Sequence, residues 1–326
     1  MKVTKKNLPI VYLFFFFFIF LIIKCILRPL RGDTFTYHIH YLLAQENICL
    51  IEPSFYLISK ICYKIAHDVI GFRLLISIYA IIDAYILLKI FKKSKSPLLC
   101  FLIFYLAFYN WFMCTLMRAS VAYLICFSSL YDIAEQKRKK AFVKILIATL
   151  FHYSVCWFLV ILPLEKRIKN KKQLKRFSLY AFFAIIIGAP IMNIIFSKIL
   201  PNNYILEKLY SYYTSGIYYL QLFSLKSIFL FIIYYYFLKY LNIGKISRVC
   251  RISLIFISFS IVFHFFGVMI MGEIGSRLRD FVYVGLLIFA PEALKYIKNR
   301  KLLFLYFLMG FLFFSIKESN LVLLIG

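Results

Sequence analysis

Acidic residues are scarce. The 326-residue chain carries 13 Asp and Glu against 40 Lys and Arg, a formal net charge of +27. Charged residues of either sign make up 16% of it, where a soluble domain averages about 25%. A soluble globular enzyme is excluded on that count. A disordered basic tail is excluded by the remainder, which is 63% apolar and 20% aromatic. A nucleic-acid binder would spread its basic residues over a water-exposed face, and no nucleic-acid partner is expected. Eleven glycines and eight prolines form no Gly- or Pro-rich linker, and no internal repeat is visible. Residues 1–326 therefore read as a single membrane domain. The eight cysteines (Cys25, Cys49, Cys62, Cys100, Cys114, Cys126, Cys156 and Cys250) contain no C-x-x-C pair and no cluster with histidine. Most lie in apolar runs, where cysteine acts as a small hydrophobe, so neither a disulfide framework nor a zinc site is expected. The pair His38 and His40 lacks acidic ligands at helical spacing. No metal or other cofactor is expected.

What the chain does have is apolar length. At about 20 apolar residues per crossing, it holds enough for roughly ten transmembrane helices. The N-terminus, MKVTKKNLPIVYLFFFFFIFLIIKC, places basic residues before an apolar run that is too long for a signal peptide and has no A-x-A-like site. We read Leu8–Leu27 as an uncleaved first span. Further apolar windows fall at Ile70–Ile90, Pro97–Phe112, Thr115–Ala134, Ser178–Leu200, Leu225–Leu238, Ile252–Met271, Arg279–Leu294 and Leu302–Ile316. The fold class is all-α: a polytopic integral membrane protein with about nine to ten transmembrane helices. Extracytoplasmic segments at about 28–69 and 201–224 are partly apolar and aromatic, like helices lying in the interface.

The stretch Ala141–Leu164 decides the topology. Short cytoplasmic loops collect Lys and Arg. If the stretch is a re-entrant hairpin bending near His152, 27 of the 40 basic residues face inward and 12 outward. If it crosses, the split becomes 18 and 21. The hairpin is the better reading. Short half-helices are tolerated at membrane depth only beside protein or a water-filled cavity, so the bend implies a cavity open to the outer face.

Under this topology Asp33, Glu46, Glu52, Asp68, Glu207, Glu273, Asp280 and Glu318 face outward, with Arg118, His152, Arg277 and Arg279 at the same depth. Ionisable groups beside a membrane cavity point to function, the alternative being interfacial side chains reaching for water. Arg118, in TLMRASVAYLICF, sits in the first turn of a helix that starts outside. The positive end of the helix dipole disfavours a cation there, and its own turn offers no carboxylate at i+3 or i+4. Arg277 and Arg279 repeat this in GEIGSRLRDF, where Gly272 and Gly275 break one helix and Ser276 can cap the next. A phosphate-rich ligand docking between two such helix starts explains the arginines; pairing with Asp280 or Glu273 is the alternative. His152, in ATLFHYSVCWF, lies at the hairpin apex beside Ser154, either as a site residue or as a satisfied core histidine. The tyrosines of NNYILEKLYSYYTSGIYYLQLF, Tyr212 and Tyr213 among them, form an aromatic belt or stack against sugar rings.

Four segments in order, RGDTFTYHIHY, IEPSFYLISKI, MRASVAYLICFSSL with its basic QKRKK end, and ATLFHYSVCWFLVILPL, with GSRLRDFVYV as a weaker fifth, resemble the EpsG family of bacterial polysaccharide polymerases, related in role to the Wzy O-antigen polymerases. They cover roughly residues 31–164 and 273–284. Ala119 departs from the pattern, which has a polar residue after the motif arginine. The resemblance implies a glycosyltransferase in the inner (cytoplasmic) membrane with its active face outward. It would transfer an undecaprenyl-diphosphate-linked glycan onto the next lipid-linked repeat unit. It implies Asp33, Glu52, His152 and Asp280 as candidate catalytic residues and Arg118, Arg277 and Arg279 as diphosphate-binding residues. Tyr212 and Tyr213 become glycan-binding candidates. Its partners would be the undecaprenyl-diphosphate-linked oligosaccharide, the bilayer and a chain-length regulator protein. A lipid-linked oligosaccharide flippase or other transporter is the alternative function, and a membrane acyltransferase the third. Transporters commonly show repeated halves, which this chain lacks, and an acyl-transfer site centred on His152 has no acidic partner nearby in sequence.

Overall fold

Long apolar runs in lipid satisfy their backbone only as helices, and every element among the described residues is helical, with no strand. The computed structural model describes residues 19, 22–30, 33–48, 52–109, 112, 115–168, 170–199, 235, 239, 244–262 and 284–296. These form two compact units, one up to Leu159 and the other from Val160 onward. The span expected at Leu302–Ile316, and most of those at Leu8–Leu27 and Leu225–Leu238, lie outside the described residues.

The first unit begins with two 13-residue helices, α1 (Asp33–Gln45) and α2 (Pro53–Ile65). They occupy the extracytoplasmic segment expected to lie in the interface. Asn47 ends α1 in the left-handed region (φ 63), and the Ile48 N–H returns to the Leu43 carbonyl at 3.1 Å, a Schellman closure. Pro53 opens α2 at its first position, where the missing N–H has no helical partner to lose. Helix α3 (Asp68–Lys93) has 26 residues and reaches about 39 Å, more than a hydrocarbon core of about 30 Å. Among the described residues it is the one helix long and apolar enough to cross a membrane. Gly71 in its first turn is required: a Cβ there would collide with the Ala66 carbonyl and the Tyr41 hydroxyl. Helix α4 (Pro97–Ala107) has 11 residues and is capped at Phe108, beyond which the Phe112 N–H still reaches the Phe108 carbonyl at 2.7 Å.

Helices α5 (Met117–Ala134) and α6 (Arg138–Phe151) form an antiparallel pair. Gln136 takes φ 64, and the Lys137 N–H reaches the Asp132 carbonyl at 2.8 Å, so a second Schellman closure makes the turn. Buried Asp132 pairs with Lys140 at 3.5 Å and with Lys144, and Lys144 donates to Ser128 at 3.4 Å. At the far end the His152 ring lies 6.2 Å from that of Tyr123. There the helix stops, because His152 is extended (φ −159, ψ 114). A 3-10 segment, Tyr153–Val160, follows, and its Phe158 ring packs at 5.4 Å on Phe127, one turn of α5 back from Tyr123. The chain therefore reverses at His152. Within the first unit, the part of Ala141–Leu164 that lies before Val160 turns back at the expected histidine.

A further polar contact ties α3 to α5. Asp83, only 2% exposed, accepts from the Ser120 hydroxyl at 2.6 Å. An unpaired buried polar group costs about 1–3 kcal/mol, and this bond fixes the register of the two helices.

In the second unit, α7 (Ile161–Arg167), α8 (Lys171–Ile199), α9 (Arg248–Val262) and α10 (Gly285–Ala293) follow. Helix α8 starts seven residues before the expected Ser178. The Ser253 hydroxyl donates to the Gly285 carbonyl at 2.6 Å, and a Cβ on Gly285 would press on Ser253, so α9 and α10 touch closely. Buried Glu292 accepts from the Ser247 N–H at 2.6 Å and from its hydroxyl at 2.5 Å.

Basic segments meet at one end within each unit. Lys93 and Lys137 both pair with Glu135, at 3.0 and 2.7 Å. Arg248 pairs with Glu165 at 2.7 Å, and Lys171 donates to the Lys239 carbonyl at 3.4 Å. From the charge split of the sequence, Lys139 and Lys171 are expected on the same, cytoplasmic side. Phosphatase and fluorescent-protein reporters fused after Lys139 and after Lys171 should both report the cytoplasm. Opposite sides for the two fusions would overturn the hairpin.

Candidate functional site: a carboxylate shared by an arginine and a histidine

Glu52 occupies the N-cap position of α2. Its carbonyl starts the helix, accepting from Phe55 at 3.1 Å and Tyr56 at 3.3 Å. An acidic N-cap normally turns its carboxylate onto the free N–H groups of the first turn, yet the Glu52 side chain makes no cap bond. It reaches across instead to residues 66 and 100 positions further along the chain. One oxygen, Oε2, pairs with Nη1 of Arg118, in the first turn of α5. The other, Oε1, lies 2.6 Å from Nδ1 of His152, at the end of α6. Glu52 is 5% exposed. The cation at the start of α5, without a carboxylate in its own turn, finds one on another helix.

Aromatic rings frame the pair. The Arg118 guanidinium stands 5.2 Å from the Tyr37 ring centre and 5.7 Å from that of Phe55, positions favourable for a cation over a π face. Tyr37, on α1, also interacts electrostatically with Arg118. Nε of Arg118 is buried and makes no hydrogen bond, so the guanidinium keeps donor capacity beyond Glu52. The Arg28 guanidinium donates to the Met117 sulfur at 3.8 Å and acts electrostatically on Tyr37 together with Arg118. Its carbonyl, with that of Ile26, is held by Arg73 Nη1 at 2.6 Å each. A second arginine therefore stands beside the first.

Glu52 lies outside the spanning helices. Burial alone would raise its carboxyl, but the His152 hydrogen bond and the Arg118 charge outweigh that and hold it at about 2, against an ordinary 4.5. An ionised carboxylate can only accept. At 2.6 Å the hydrogen must therefore sit on Nδ1 of His152, and a neutral ring carries its lone pair on Nε2.

The structure brings together three residues singled out from sequence: Glu52, Arg118 and His152. Asp33 is exposed in the first turn of α1, one turn before Tyr37, on which its charge acts. Arg277, Arg279, Asp280, Tyr212 and Tyr213 lie outside the described residues. Sequence reasoning missed Tyr37 and Arg28, although both flank the RGDTF motif. Of the paired histidines, His38 packs against Phe72 at 4.9 Å, and among the described residues no His, Cys, Asp or Glu cluster could hold a metal ion.

A family model, that of the EpsG family, matches residues 10–322. The chain belongs to the EpsG family. Members are Wzy-type polysaccharide polymerase-like membrane proteins, so a membrane protein of polysaccharide biosynthesis is established at the level of the family. No curated protein and no solved structure matches this EpsG-family chain. The shared carboxylate falls in the matched span and joins three of the motifs that carry the resemblance.

A group whose folded pKa is depressed contributes stability that is present above its unfolded value and lost as the pH falls through the folded one. Glu52 is such a group. The stability difference between the wild type and Glu52→Gln should narrow as the pH falls from about 4.5 to about 2. The narrowing corresponds to on the order of 3 kcal/mol. Thermal unfolding in detergent across that range checks it, and a difference that stays constant down to pH 2 would refute the paired state of Glu52.

Proposed function

We propose that this EpsG-family protein is a Wzy-like polymerase transferring an undecaprenyl-diphosphate-linked glycan onto the next lipid-linked repeat unit at the outer face of the inner membrane. The observation that carries this reading is the buried Glu52 carboxylate, which holds an arginine and a histidine side by side where three helix ends meet. Glycosyl transfer from a diphosphate needs those two kinds of group together: a cation for the leaving diphosphate and an acceptor for a sugar-hydroxyl proton.

In the proposed step the acceptor hydroxyl oxygen attacks the anomeric carbon of the donor glycan. The bond from that carbon to the diphosphate oxygen breaks, and its electron pair leaves on the diphosphate. The hydroxyl proton passes to Nε2 of His152, which acts as general base. Glu52 keeps the ring in the tautomer that accepts there and stabilises the imidazolium that results. Arg118 stabilises charge on the departing diphosphate, assisted by Arg28 and, in this proposal, by Arg277 and Arg279. Asp33, exposed one turn before Tyr37, would act on the acceptor in this proposal, and Asp280 is assigned to the same carboxylate set. Tyr212 and Tyr213 would stack against the glycan. A chain-length regulator is the proposed protein partner. Both oxygens of Glu52 are engaged, which suits an orienting role better than that of the base.

A strain lacking the protein should accumulate lipid-linked material carrying a single repeat unit on the outer face. Accumulation on the cytoplasmic face would favour a flippase and refute the polymerase. Arg118→Lys keeps a charge for Glu52 but loses the planar fork that grips phosphate oxygens in pairs. It should lower polymerisation on the order of a hundredfold at unchanged protein abundance. Full-length glycan from Arg118→Lys at normal abundance would remove the arginine from the donor site.

A further inference from the structure

The second unit carries a cavity that the proposed transfer chemistry does not use. It measures about 410 Å³ and is lined by Glu165, Lys166, Arg248 and Arg251. Three cations thus surround one acid. Glu165 is buried and fixes Arg248 through its Nε at 2.7 Å, and that contact holds the Arg248 guanidinium above its ordinary range. Arg251 follows at i+3, on the same face of α9. Both arginines stand in the first turn of that helix, where the dipole already favours an anion. The nearby acid, Glu292, is occupied by the Ser247 N–H and hydroxyl. The cavity therefore offers cations, a helix start and room for a phosphate-sized group.

Its setting selects among phosphates. It lies at the end of the unit where Lys171 meets Lys239 and Glu165 meets Arg248, the side that the charge count of the sequence makes cytoplasmic. Helix α8 starts at that same end, and its residues Leu179, Phe183, Ile187 and Ile191 are all at least half exposed. They recur every four residues and form one apolar stripe leading away from the basic end. A phosphate bound to an acyl chain fits both features at once, with its headgroup among the cations and its tail along the stripe. Basic pockets on the cytoplasmic side of membrane helices take anionic lipid headgroups for the same reason.

We propose that the cavity formed by Glu165, Lys166, Arg248 and Arg251 binds the phosphate headgroup of an anionic phospholipid of the cytoplasmic leaflet. The site is separate from Glu52, Arg118 and His152 and does not depend on the reaction assigned to them.

The test uses the full-length protein in nanodiscs of phosphatidylcholine with increasing phosphatidylglycerol, reading thermal stability. The wild type should be stabilised by phosphatidylglycerol. The double variant Lys166→Gln/Arg251→Gln, which leaves the Glu165–Arg248 pair intact, should require about tenfold more of the lipid for the same shift. In pure phosphatidylcholine the two should melt alike. Lys166→Gln alone, at an exposed position, should show the same trend to a smaller degree and serves if the double variant folds poorly. Inorganic phosphate in millimolar excess should give little stabilisation. Equal response of wild type and variants to phosphatidylglycerol would overturn the proposal, and so would stabilisation by inorganic phosphate as strong as that by the lipid.

Discussion

One buried carboxylate sets the arrangement of the first unit. Glu52 lies at the start of α2, and its two oxygens hold the start of α5 through Arg118 and the end of α6 through His152. Taking a carboxylate out of water costs several kcal/mol unless its charge and lone pairs are met. Here both oxygens are met, one by a guanidinium and one by a ring N–H. Removing any member leaves the others with an uncompensated buried group, so the three elements are coupled to a single position. The helix reversal at His152 and the pair α1 and α2 both converge on that point.

This coupling also explains why an arginine can stand where a helix dipole opposes it. The penalty for a cation in a first turn is about 0.3–1 kcal/mol at an exposed site, which one close carboxylate offsets. The rings of Tyr37 and Phe55 add a cation–π contribution of similar size. The arginine is held at an unfavourable place by groups from α1 and α2, and its buried Nε makes no hydrogen bond. Strong polar contacts recur at the opposite end of the helices as well. Asp132 with Lys144 and Glu135 with Lys93 tie the basic loops of the first unit by the few acids the chain possesses, and within the second unit Glu165 pairs with Arg248. In a sequence with 13 acids against 40 bases, these carboxylates stand where helices must be joined.

Much of this was legible in the sequence, for identifiable reasons. Apolar length marked α3, and the period and boundaries of α5 followed from the MRASVAYLICF run. The charge count located the hairpin, and His152 stood out at its apex because an ionisable ring inside an apolar run is costly to leave unpaired. Glu52, Arg118 and His152 could each be singled out as ionisable groups that lipid disfavours, but their mutual bonds could not. The residues lie 66 and 100 positions apart, and helical spacing reports only neighbours three or four apart. That is why Arg118 had no visible partner in its own turn. Tyr37 and Arg28 escaped notice because a tyrosine in an aromatic-rich chain, and an arginine beside a proline, carry no periodic signal. Asp83 was hidden in the same way: its partner is a serine on another helix. The helix start at Lys171 was placed late because a run of lysines precedes the apolar window, and charged residues continue a helix as readily as they end one.

In the proposed chemistry Glu52 and His152 act as one unit, the carboxylate working through the ring it orients. A double-mutant cycle tests this most directly. Polymerisation is measured, at matched protein abundance, for the wild type, Glu52→Gln, His152→Gln and the double variant. Residues that act as a unit are strongly non-additive. The double variant should therefore be no worse than His152→Gln alone. Independent, multiplying losses from the two substitutions would contradict it.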